Sequence, residues 1–523
     1  MFWFRKPGKK SQDNSVGARH KSRRNLRFES LENRRVLASG IVNVALAPFA
    51  PPGTSLALIG DGSNNEVEIS QTLNVGEYLI QGKNGTLLQL NGSFATTPSM
   101  TVNGINFDID VDLGNGNDVF RFLARPDSQP SNIPEDLNIE NSDGSNVNSL
   151  TGVLINGDLH VSKVVGTSGY SELSILSSTI IGSTIVDNTS GGPDGDTKTV
   201  IDNSWLQGSV PGPAFSLTNG AGADINNIRG NSQFGIGPYQ TSGPVVAIAN
   251  GAGGSQTTFT GASAVAGFGT TTVYGQLDID NGLNLPGFVD LVTFDGTNVL
   301  GPVNVANGDG NALTGVTNST LGSHLVLNSL NAPAYGGPML VVNGSGYDEF
   351  SMTGSNLPWG LLINNDSGAP GANWGSSTAI TQSSIGTGPY GPRLPAAGDA
   401  MIVLGDDGRD LVNVNSTTIG GRLDLQLKAG NNELNVTNNS VMSGLYIVTS
   451  NGNDKVLIDK SKILVDVYAR LGNGADELYV RNLVFATDWP SSLLGSVDIN
   501  GELGVDRTNL GTLVPMAFEL LVP

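Results

Sequence analysis

The chain has 523 residues, of which 71 are Gly and none is Cys, with 38% hydrophobic, 14% charged and only three His residues. This turn-rich composition excludes disulfides, thiol catalysis and cysteine-zinc sites, leaves little material for histidine metal clusters or triads, and holds too many apolar residues for wholesale disorder. Charge is segregated: residues 1 to 35 carry 11 Lys or Arg against 3 acids, and the rest carries 16 against 44, so the basic part is a head on a body of net charge −28 that repels nucleic-acid phosphates and attracts divalent cations.

In chain order, residues 1–39 read as a disordered export or targeting head. It ends in RFESLENRRVLAS from Arg27 to Ser39, followed by the mildly apolar IVNVALAPFA, Ile41 to Ala50. A cationic segment before an apolar run ending in small residues meets part of the physics of an export signal. No run of about 20 apolar residues occurs, so no membrane-spanning helix is expected. The segment Phe28 to Ala38, FESLENRRVLA, resembles the planctomycete extracellular N-terminal motif, a Leu-Glu-x-Arg-Arg-x-Leu-Ala sequence near the start of large secreted or surface proteins. The resemblance implies a signal, processing near Ala38, and an extracellular or cell-surface location; it says nothing of activity. SRRNL at Ser22 to Leu26 is similar to a twin-arginine signal, without the apolar run directly after it.

Residues 40–125 form either an N-terminal β block or the first coils of a repeat array. From 126 to 485 the chain reads as that repeat. Its frame is clearest where Gly408, Gly430, Gly452 and Gly474 recur every 22 residues, each followed two positions later by Asp410, Asn432, Asp454 or Asp476. Behind these turns lie the aliphatic columns Val412, Leu434, Val456, Leu478 and Val414, Val436, Ile458, Val480. Two further columns are expected, Ile419, Val441, Ile463, Phe485 and Leu423, Leu445, Val467. Alternation by two means strand, and a constant phase from one unit to the next means that units stack. The expected fold is therefore all-β, a right-handed parallel β-helix or solenoid with about 22-residue coils; the alternative is a β-propeller, whose blades need about twice that period. Looser copies occur at Gly114 to Phe122, Tyr170 to Val186, Gly308 to Leu327 and Gly344 to Ile363. Residues 211–302 and 364–398, rich in Gly, Pro, Ser and Thr, break the frame and read as projecting loops or irregular coils. An open solenoid end exposes strand edges, and 486–523 is the expected C-terminal cap.

Candidate chemistry is sparse. The turns LGNGND (Leu113 to Asp118), SNGND (Ser450 to Asp454) and LGNGAD (Leu471 to Asp476) resemble single calcium-binding nonapeptide turns of RTX, or hemolysin-type, proteins, which implies calcium held at Asp454 and Asp476. They depart from that family in coming once per 22 residues and not every nine. The structural reading of the same residues is that each Asp caps its own turn by accepting a backbone N–H. β-Helices also host pectate lyases and polygalacturonases, and GDDGRD at Gly405 to Asp410 is superficially similar to the paired-Asp motif of the latter. It is nevertheless one member of the turn column, so no catalytic residue and no cofactor-binding residue is assigned. His160 and His324 read as exposed strand residues, and Trp205, Trp359 and Trp374 as packing beside turns more than as sugar-stacking faces. The functional expectation is a noncatalytic adhesion or envelope protein whose partners are a cell-surface polysaccharide or an envelope protein. The alternative is a β-helix polysaccharide lyase or glycoside hydrolase. The feature that separates them is whether acids and bases from several coils converge in one groove or polar residues repeat in ladders.

Overall fold

A computed structural model describes residues 40–49, 53–163, 169–189, 195–209, 212–236, 244–261, 270–282, 288–322, 337–365, 375–388, 399–481, 497–503 and 507–509. Ser39–Pro523 make up one unit. The head at 1–39, with the Leu31 to Ala38 motif, lies outside the described residues, as do Phe485, His324 and Trp374.

The unit is a parallel β-helix. Each turn of the chain lays one strand on each of three faces, and each strand pairs in parallel with its counterpart one coil later. The first face runs from Val119–Leu123 through Asn146–Thr151 and Ser171–Leu176 to Glu477–Arg481 and Arg507–Asn509. The second is made of short strands such as Ser131–Ile133, Val153–Ile155 and Thr179–Ile180. The third runs from Ile109–Asp112 and Leu137–Asn141 to Val467–Asn473 and Val497–Leu503. Consistent parallel pairing excludes the propeller, whose blades are antiparallel.

Alternation decides the inside. On the first face Phe122, Leu150, Ile175, Ile201, Ile228, Phe259, Phe294 and Val316 stand in register as one buried column. It continues through Met352, Ile380, Val414, Val436, Ile458 and Val480. Phe259 and Phe294 stack with centroids 5.4 Å apart. Val412, Leu434, Val456 and Leu478 also stack inward in neighbouring coils, as the 22-residue phase requires. Each such side chain contributes about 1.5–3 kcal/mol by leaving water.

The expected third aliphatic column slips by one residue. Ile419 pairs with Met442, which pairs with Ile463, and Val441 faces outward between Thr418 and Lys462. The turn before it carries two left-handed residues, Asn438 (φ 57°) and Asn439 (φ 64°), where its neighbours carry one, Ser416 or Lys460. A register shift between Ile419 and Arg422 brings Leu423 and Leu445 back into phase.

Of the two expectations for 211–302, projecting loops or irregular coils, the described residues fit coils of irregular length. They supply strands to all three faces, Phe215–Thr218, Asp224–Gly230, Gln233–Phe234, Val246–Ala249 and Ser255–Gly261 among them. What breaks the frame is the number of residues per coil: the repeat grows to 31 residues between Asn219 and Asn250 and 35 between Ser255 and Asp290, while the strands stay in register. Likewise Ser376–Thr381 and Ser384–Ile385 continue two faces within 364–398. In the C-terminal segment Val497–Leu503 and Arg507–Asn509 extend the third and first faces.

At the N-terminal end the pairing changes sense. Gly53–Ile59 pairs in parallel with Ile109–Asp112 and antiparallel with Ile41–Phe49. Glu66–Gln71 pairs in parallel with Val119–Leu123 and antiparallel with Tyr78–Gly82, which pairs in turn with Ser99–Val102. These hairpins cover the first coil, and the Tyr78 hydroxyl donates to the Asn132 carbonyl at 2.5 Å.

Candidate functional site

The acidic turn residues form a buried column at the start of the first face. Asn65, Asp118, Asn146, Ser171, Thr197, Asp224, Ser255, Asp290, Ala312, Asp348, Ser376, Asp410, Asn432, Asp454 and Asp476 succeed one another coil by coil, and all are buried. The carboxylates bond across coils as well as within their own turns, where Asp410 accepts the Asp406 N–H. Each reaches back one coil: the N–H of Asn65 donates to Asp118 Oδ1 (2.7 Å), that of Ala312 to Asp348 Oδ1 (3.1 Å), that of Asn432 to Asp454 Oδ1 (2.8 Å) and that of Asp454 to Asp476 Oδ1 (2.8 Å). Hydroxyls join in, with Thr197 donating to Asp224, Ser255 to Asp290 and Ser376 to Asp410, each at 2.7 Å. The reason is geometric: a parallel stack places the same turn N–H directly above each side chain, within a strand spacing of about 4.8 Å.

Burial sets the electrostatics. It pushes the Asp118 carboxyl up to about 6, Asp224 and Asp410 to about 7 and Asp348 to about 8, against the opposing pull of the donated hydrogen bonds. Asp454 is raised for the same reason. From Asp224 to Asp454 a Ser, Ala or Asn separates successive acids, which roughly doubles their spacing. Adjacent carboxylates about 5 Å apart would repel by roughly 3 kcal/mol at an effective dielectric of 20.

Asp454 and Asp476 are the adjacent pair in this column. Their oxygen donors suit a hard cation, but one oxygen of each already accepts an inter-coil N–H. Calcium takes six to eight oxygens. Among the described residues no group of three or more His, Asp or Glu side chains is placed to hold a metal.

GDDGRD divides between inside and outside. Asp406 accepts the Gly408 N–H at 2.6 Å, Asp410 belongs to the column, and Arg409 pairs outward with Glu433 at 2.8 Å. Gly405 makes room for the column, since a Cβ there would lie 2.0 Å from Asp410 Oδ2. His160 is exposed on the third face, in a shallow depression with Asp110, Asp112, Asn138 and Glu140. Trp359 is fully buried; Trp205 is 41% exposed, and its Nε1 donates to the Gly235 carbonyl at 3.1 Å.

Two features escaped sequence reasoning. The first is an asparagine ladder inside the corner after the third face. Asn188, Asn219, Asn250, Asn281, Asn307, Asn343 and Asn365 pass one carboxamide hydrogen bond from coil to coil at 2.6–3.0 Å. A serine ladder occupies the corner after the first face, where Ser178 accepts from Val153, Ser204 from Ser178 and Ser355 from Ser319, each at 3.1 Å. The second is an outward cluster. Arg422 Nε lies 2.6 Å from Asp399 Oδ1 and its Nη2 3.4 Å from Asp424 Oδ2. Its guanidinium sits 5.2 Å over the Tyr446 ring, which stacks on Tyr468 at 4.6 Å and 8°. Both acids are buried, and the Asp424 carboxyl is raised first by burial and then by the nearby Asp399 charge. Asp424, Tyr446 and Tyr468 recur every 22 residues, the signal that would have found them.

No family model, no curated protein and no solved structure matches the chain.

Proposed function

We propose that the chain is a secreted or cell-surface, noncatalytic scaffold, serving as envelope material or in adhesion to a surface polysaccharide or envelope protein. One observation carries the reading: buried polar side chains repeat as ladders, hydrogen-bonding to an adjacent coil. A rod built this way offers long, regular outer faces for contact. The basic head, with its resemblance to an export motif, supports a location outside the cytoplasm. Among the described residues no helix is long and apolar enough to cross a membrane. Calcium bridging of Asp454 and Asp476 would be a weak, partly hydrated addition to this scaffold.

A glycan-binding and degradation screen on the exported protein tests the proposal. Binding without cleavage is the expected result; released oligosaccharides would refute it. N-terminal sequencing tests export: Met1 on protein recovered outside the cytoplasm contradicts processing near Ala38.

The second reading, a polysaccharide-active enzyme, has one observation in its favour. Asp399, Arg422, Asp424 and Tyr446 come together from three coils on one outer face. Under it, cleavage of a glycan would be abolished by Asp424→Asn.

A further inference from the structure

The asparagine ladder has one foreign member. Asn141 and Lys163 are register partners on adjacent strands of the third face, and Asn188 follows Lys163 at the same phase. All three are buried, at 4% exposure each. Lys163 Nζ donates to the Gly169 carbonyl at 2.6 Å, so it is held inside the corner and away from solvent. Burial favours the free amine by lowering the pKa of this ammonium, and the Asp143 charge pulls the other way. The substitution leaves two ladder atoms without hydrogen-bond partners, Asn141 Nδ2 below it and Asn188 Oδ1 above.

The two flanking amides are not equivalent. Asn188 Nδ2 donates to Asn219 Oδ1 at 3.0 Å, so losing it would break the ladder. Asn141 Nδ2 makes no such bond, and Asn141 Oδ1 accepts from Asn148 Nδ2 at 3.0 Å. That donor polarises the Asn141 carbonyl and would stabilise negative charge developing on its oxygen. The neighbouring strands lie about 4.8 Å apart, within reach of a lysine side chain.

We propose that Lys163 and Asn141 form an intramolecular isopeptide bond. The Nζ lone pair of the free amine attacks Cγ of Asn141, the Nζ–Cγ bond forms and the Cγ–Nδ2 bond breaks. The departing nitrogen takes the proton that Nζ gives up and leaves as ammonia. Oδ1 remains a carbonyl oxygen and keeps its hydrogen bond from Asn148. No oxidant or reductant takes part. The product ties two successive coils covalently near the N-terminal cap, where the ladder is interrupted, and removes both the buried amine and the unpartnered Nδ2.

Peptide mapping by mass spectrometry of the folded full-length chain tests this. The expected result is a branched peptide joining the segment that holds Asn141 to the segment that holds Lys163, lighter than the two together by one ammonia. Lys163→Met should give only linear peptides. Asn148→Val should form the branch roughly a hundredfold more slowly, as expected for loss of one oxyanion donor. Linear peptides with intact Lys163 and Asn141 in the folded wild type would overturn the proposal, as would a branch to Asn188.

Discussion

Asp348→Asn probes the buried acid column at its most perturbed member. The carboxyl is 2% exposed, and its pKa of about 8 reflects burial first, then the charges of Asp406 and Asp290, against the stabilising Ala312 N–H. In an unfolded chain the same group titrates near 3.9. Between those values the folded protein holds a proton that the unfolded chain has lost. The favourable contribution is therefore complete below about pH 4 and is lost as pH rises to about 8. Each pH unit changes stability by about 1.4 kcal/mol, which sets a ceiling on the order of 5 kcal/mol at pH 8. Water penetration and relaxation of the site lower this to a few kcal/mol. Asparagine keeps an Oδ1 to accept the Ala312 N–H and carries no charge. The variant should match wild type near pH 4 and exceed its stability by a few kcal/mol near pH 8. Long repeat arrays do not always unfold in one step. Denaturant unfolding from pH 4 to 8.5 should therefore be read beside hydrogen exchange of Asn311–Thr317, which carries the Ala312 amide. Identical pH slopes for the two proteins, or a variant less stable at pH 8, would refute the argument.

Further predictions concern the stack. Leu434→Asp buries an unpaired charge in the aliphatic column and should cost about 3–5 kcal/mol, read as a fall in denaturant midpoint; an effect below 1 kcal/mol would contradict the inward phase. Asn281→Leu removes the acceptor for Asn250 Nδ2 and the donor to Asn307 Oδ1, and should cost about 2–4 kcal/mol, with faster exchange in the adjoining corners. If calcium bridges Asp454 and Asp476, millimolar calcium should raise the melting temperature of wild type more than that of the Asp454→Asn, Asp476→Asn double variant. Equal shifts would assign the effect to screening of the acidic body.

Where coils are of minimal length, the sequence alone determined their phase. From Gly408 to Val480 the 22-residue spacing, alternating aliphatics and Gly-x-Asp turns were enough to place Val412, Leu434, Val456 and Leu478 inside. The turn glycine is legible for a local reason: Gly452 has φ 153°, and a Cβ there would lie 1.7 Å from the Gly430 carbonyl oxygen. The asparagine ladder carries no such signal, because its members are separated by 31, 26, 36 and 22 residues. Coil length varies while strands keep register, so only the folded stack brings the carboxamides together. The same holds for Val441, turned outward by one extra left-handed residue, and for the aspartates, whose partner is the coil before. Local pattern is written in neighbouring residues, but hydrogen-bond partners in a parallel stack are chosen across a whole coil, whose length varies from one coil to the next.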